Sequence, residues 1–122
     1  MVTETSKSWD NLIAGDFPRK TIAVTIASGD GEQPRGALLG KITSSGKYIL
    51  SLSAAGDGSE APIAVLAEDV DATAADVETV AYISGEFNGA AMTFGTGHDA
   101  DSVSNTFIED GRPIYIRDAE PA

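Results

Sequence analysis

The stretch KTIAVTIASGDG, Lys20–Gly31, decides the fold class. Ile22, Val24 and Ile26 alternate with Thr21, Ala23 and Thr25, a period of two that places one set on each face of a strand and does not match the 3.6-residue period of an amphipathic helix. SGDG at Ser28–Gly31 then marks a turn, because glycine tolerates positive φ and Asp30 can bond its own backbone.

The same grammar continues downstream. Leu38, Leu39 and Ile42 are separated by Gly40, and SSG at Ser44–Gly46 reads as the hairpin link into Lys47–Ser53, so this half of the chain is expected to be a β meander. AAGDGSEAP is a loop, and the continuous apolar run Ile63–Ala67 suits a strand buried on both faces. EDVDATAAD reads as an acidic loop. Val77–Ser84 alternates again, Gly85 is expected to break it, and Glu86–Phe94 reads as a further strand kinked or bulged at Gly89. Asp101 or Ser102 is a candidate cap for a short helix carrying Val103, Phe107 and Ile108, with Gly111 as its stop. RPIYIRD supplies a last strand. About seven short strands and one short helix make a mostly β, barrel-like or sandwich-like single domain.

Upstream of Lys20, Met1–Ser8 is polar and unpatterned, as expected of an extended N-terminal arm. Trp9, Leu12, Ile13 and Phe17 then bring apolar groups into a segment broken by Gly15 and Pro18. Two readings stay open for these four: attachment to a partner's surface, or packing on the domain's own core. The expected division is an arm over 1–19 and a β domain over 20–122.

With 122 residues there is room for one ordinary domain. The 19 acidic and 8 basic residues give a net charge of −11, and all twelve Asp and Glu between Tyr48 and Gly111 stand without a Lys or Arg among them. That stretch would repel a phosphate backbone, so no nucleic acid is expected as a partner. There is no cysteine, which removes disulfides, thiolate metal sites and cysteine nucleophiles. The start MVTETSKSWDNLIAGDF has neither the basic opening nor the apolar run of a signal peptide, and no run reaches the roughly 18 apolar residues of a membrane span. A soluble protein with no membrane partner is the expectation.

Three places imitate chemistry. Asp69-Val70-Asp71-Ala72-Thr73 follows an apolar run, as the nucleophile and acid/base carboxylates of haloacid-dehalogenase-type phosphotransferases do, yet no lysine follows Lys47 to neutralise phosphate. Read as a calcium loop from Asp69, the same acids place Ala74 where the sharp turn needs glycine and Val80 where bidentate coordination needs Glu, leaving only adventitious binding by Glu68, Asp69 and Asp71. His98, the single histidine, lies between Asp99 and Gly97 in what reads as an exposed loop, without a G-x-S-x-G nucleophile turn. No enzyme activity, metal or cofactor is expected.

The residues Arg35–Asn88 carry a resemblance. A basic residue and glycine before an apolar pair at Arg35–Gly40, the GKY hairpin, the DGS loop leading to Pro62, IAVLAEDVDA and VAYISGEFN are similar, in that order, to the lambda-type head decoration proteins of tailed bacteriophages. NLIAGDFPRKTIAVTIASGDG and RPIYIRD extend the likeness over most of the chain. The resemblance implies a β-clip-type domain forming a homotrimer that binds the phage major capsid protein on the outer surface of the expanded head. It also implies assembly in the host cytoplasm and an N-terminal arm that orders on the shell. The arm has no motif to match position by position, so Val2, Thr3, Glu4, Thr5 and Trp9 are nominated for capsid contact from their own properties: an extended polar or β-branched run ending in an aromatic anchor. The competing readings are a β-rich virion-surface or adhesin-like module binding carbohydrate through exposed aromatics, and the Mg²⁺-dependent phosphotransferase.

Overall fold

Both faces of the apolar run are in use. In the computed structural model, which describes residues 12–13 and 18–117, it forms strand β5 (Pro62–Leu66), with Ala64, Val65 and Leu66 fully buried although neighbouring residues point to opposite sides. The other described elements are β1 (Lys20–Ile26), β2 (Gly31–Gln33), β3 (Leu38–Lys41), β4 (Tyr48–Leu50), β6 (Val70–Ala72), β7 (Val77–Asn88), helix α1 (Ala100–Glu109) and β8 (Ile114–Arg117). Strands β1, β4, β3, β5 and β7 follow one another in hydrogen-bonded order, and β1 pairs again with β7, which closes a five-stranded barrel; β8 extends the sheet beyond β7. No helix among the described residues is long and apolar enough to cross a membrane.

The period of two sorts the apolar residues into two cores. Leu39, Ala64, Leu66 and Ala81 point into the barrel with Val24, Ile26 and Tyr48. Small residues at Ala37, Ala64, Ala72 and Ala81 let so narrow a barrel close without a void. Leu38 and Val65 point the other way, into a second cluster with Leu12, Phe87, Met92, Ile114 and the helix residues Val103 and Phe107. Full burial of each large apolar side chain is worth about 1.5–3 kcal/mol, so the cover formed by α1 and β8 contributes on the same scale as the barrel interior.

Several expectations hold: β1, the β3–β4 hairpin, the two-faced β5, the helix with Val103 and Phe107 inward, the stop at Gly111 with φ 72°, and the final strand. Others are corrected. There is no meander: β1 runs parallel to β4 and antiparallel to β7, while β2 leaves the barrel and pairs with β6. The acidic segment therefore contains a strand, β6, whose Ala72 is buried in the barrel core while Asp71 faces out. Gly85 does not end a strand. β7 is continuous over 12 residues, roughly 40 Å, and at Gly85 it passes from β1 to β8 as neighbour, with the Gly85 N–H bonded to the Pro113 carbonyl. Here φ is 144° and a Cβ would press on the Phe87 ring and the Arg19 side chain, so glycine is required for conformation and for space. Gly89 opens a short 3₁₀ turn, Gly89–Ala91, capped by Asn88. Helix α1 is capped by Asp99, whose carboxylate accepts the Ser102 N–H, and not by Asp101 or Ser102; Ile108 is 63% exposed.

Candidate functional site

The residues nominated for partner contact, Val2, Thr3, Glu4, Thr5 and Trp9, lie outside the described residues, as does Phe17. What the structure does place is the point where their segment joins the domain. Leu12 is 2% exposed in the second core, its carbonyl accepts the Asn88 N–H at 2.7 Å, and Ile13 bridges antiparallel to Phe87. Phe87 is thus flanked by Ile13 on one side and by Ile116 of β8 on the other. The re-entry into β1 is pinned as well: the Ser84 hydroxyl donates to the Pro18 carbonyl at 2.9 Å and accepts the Lys20 N–H at 2.9 Å. Of the two readings left open for the N-terminal apolar residues, packing on the domain's own core is observed for Leu12 and Ile13. Their spacing carried no strand or helix period, so only the groove beside Phe87 identifies them.

Asp69, just before β6, and Asp71 within it are two apart and share the strand's outer side, above a cleft of about 490 Å³ lined also by Glu32, Gln33 and Pro34. Each carboxylate is engaged locally. Asp69 accepts the Arg35 N–H at 2.7 Å, and Asp71 accepts both the hydroxyl and the N–H of Thr73, which hold its carboxyl below the ordinary carboxylate range. Glu68 is turned away to accept the Thr79 hydroxyl at 2.6 Å. Among the described residues no three of His, Cys, Asp and Glu gather as metal ligands. In the Asp-x-Asp-x-Thr pattern Asp71 and Thr73 close a turn at the exit of β6, while Asp69 ties the strand's entry to Arg35.

His98 is half-buried, not fully exposed, because its Nε2 lies 3.0 Å from the Oγ of the fully buried Ser51. Ser51 donates its one hydroxyl proton to the Ser59 carbonyl at 2.7 Å, so His98 must be the donor in the pair, with the proton on Nε2. A serine nucleophile needs the reverse arrangement, with imidazole accepting the hydroxyl proton. The pair is a structural tie between the 92–98 segment and β4's exit. Arg35, at the head of the motif-bearing stretch, is likewise architectural: its Nη1 donates to the Ala67 carbonyl at 2.9 Å and to Tyr82 Oη at 3.0 Å, and its guanidinium stands 5.6 Å from the Tyr82 ring centre. Among the described aromatics only Tyr115 is exposed, at 41%.

The feature that emerges among the described residues is therefore a junction: Leu12 and Ile13 fixed to the far end of β7, a strand of the barrel. No curated protein matches the chain. A family model described as bacteriophage lambda head decoration protein D matches residues 1–110, which include the N-terminal segment, the whole barrel and α1.

Proposed function

This chain belongs to the bacteriophage lambda head decoration protein D family, a family of structural capsid proteins, and from that premise we propose that it binds the expanded head as a homotrimer cementing neighbouring major capsid subunits. Capsid decoration follows from the family; the trimer, the outer surface of the head as its place and the cementing action are the proposal. The observation that carries it is the junction at Leu12 and Ile13. A segment that adds a strand to the shell transmits load only if its other end is held firmly, and here it is held by core packing and by hydrogen bonds to β7. Three copies engaging adjacent subunits would raise avidity by the effective concentration that the first contact creates. We assign the contact itself to Val2, Thr3, Glu4, Thr5 and Trp9, with Trp9 as the apolar anchor.

Deleting residues 1–9 leaves Leu12 and Ile13 in place, so the shortened protein should retain its circular dichroism spectrum and melting temperature. It should no longer co-sediment with undecorated expanded heads. Unchanged co-sedimentation would refute the role of the arm. Light scattering of the intact protein, free and after release from heads, reads the oligomer directly: three times the 12.6 kDa chain mass is expected, and a monomer in both conditions would refute the trimer.

A further inference from the structure

Three Asp-Gly pairs and one Asn-Gly pair occur along the chain: Asp30–Gly31, Asp57–Gly58, Asp110–Gly111 and Asn88–Gly89. Glycine after an acidic or amide residue leaves its own backbone nitrogen unhindered, so all four are chemically open to cyclisation in an unfolded chain. The fold closes three of them. Asp57 accepts the Ser59 hydroxyl at 2.5 Å and the Ser59 N–H at 3.0 Å, which keep it ionised and a poor electrophile. Asp30 accepts the Leu50 N–H, and Gly31 is locked in β2 opposite Ala72. Asn88 is 3% exposed, its Oδ1 accepts the Ala90 N–H at 3.0 Å, and its backbone is held by Leu12 on one side and paired with Arg117 on the other.

Asp110–Gly111 differs in its carboxyl and in its place at a helix end. Both residues are exposed, the Asp110 carboxyl has no hydrogen-bond partner among the described residues, and the pair forms the last cap of α1, the part of a helix that opens most readily. Gly111 holds a φ of 72° and a Cβ there would meet nothing within 4 Å, so its peptide can rotate once the cap frays. We infer that Asp110–Gly111 is the site at which this protein spontaneously converts aspartate to isoaspartate. The Gly111 backbone nitrogen attacks the Asp110 Cγ as it gives up its proton, a C–N bond forms, and the carboxyl hydroxyl leaves as water. Water then opens the cyclic imide. Opening at the backbone carbonyl routes the chain through the side chain, with no net change in mass and one extra methylene in the main chain. That methylene falls among the bonds closing α1, from Gly111 N–H to the Ile108 carbonyl and from Arg112 N–H to the Phe107 carbonyl.

The intact protein aged for weeks at neutral pH should acquire substrate sites for protein isoaspartyl methyltransferase, and electron-transfer fragmentation should place them at Asp110. Asp110→Glu, which keeps the charge on an exposed side chain but would need a larger ring, should lose most of the signal. In denaturant all four pairs should form isoaspartate, Asn88–Gly89 fastest because its amide is a better electrophile than a carboxylate and the three Asp-Gly pairs at similar rates, which separates the effect of the fold from that of sequence. No signal at Asp110, an equal one at Asp30, Asp57 or Asn88 in the folded protein, or an undiminished one in Asp110→Glu would overturn the inference.

Discussion

At Gly40 a hydrogen atom stands where any other side chain would overlap the Ser59 carbonyl, the same oxygen that accepts the proton of Ser51. The pairing of β3 with β5 slips between Leu39 and Gly40, so the strand passes the loop at contact distance. Gly40→Ala must therefore shift backbone, and the chain should lose about 1–3 kcal/mol, read as a lower denaturant midpoint at unchanged slope. The residue pattern showed a glycine between apolar positions. It did not show what approaches it, because Ser59 lies 19 positions away and meets Gly40 only across the fold. His98 illustrates the same gap: its partner Ser51 is 47 positions distant, and the loop expected to be exposed is tied down by that bond together with the one from the Ser53 N–H to the Thr96 carbonyl.

At the scale of elements, α1 was legible in its inner face and not in its boundary. Val103 and Phe107 are four apart and are both fully buried, whereas Ile108 stands one position further round and faces solvent. Phe107→Ala should cost about 3–5 kcal/mol by leaving a cavity in the second core, while Ile108→Ala should change stability by less than about 0.5 kcal/mol. Thermal melts of the two variants measure the contrast, and similar losses would mean that Ile108 is covered. The cap was displaced to Asp99 because a capping box needs a side chain that accepts the third N–H of the helix, and Asp99 and Ser102 satisfy each other reciprocally. Strand β7 carries the larger lesson. Its local signal breaks at Gly85, but hydrogen bonds to β1 before that point and to β8 after it hold the strand through the glycine.

For the whole molecule, a net charge of −11 makes acid the informative stress. Asp57, Asp71, Asp76 and Asp99 all have carboxyls held below their ordinary value of 3.8, by the Ser59 hydroxyl, the Thr73 hydroxyl, the Lys47 ammonium and the Ser102 N–H respectively. A depressed carboxyl stabilises the fold above its unfolded value and loses that contribution as pH falls through the folded one. Melting temperature should thus be flat down to about pH 5 and decline as pH falls below about 4. Asp30 works against this trend, since burial raises its carboxyl and disfavours its charge at neutral pH. Asp30→Asn should consequently flatten nothing in the acid limb, whereas Asp57→Asn should reduce it; a limb unchanged by Asp57→Asn would discount that carboxylate. The sequence by itself determined the β class, the single short helix, the two-faced strand and the absence of cysteine chemistry, because alternation and composition are properties of neighbours along the chain. Barrel closure through β1 and β7, the β2–β6 ribbon hidden in an acidic stretch, and the anchoring of Leu12 beside Phe87 were decided by the tertiary structure alone. Each joins residues more than thirty positions apart, and which strand edge meets which is settled only when the apolar faces of the entire chain are buried together.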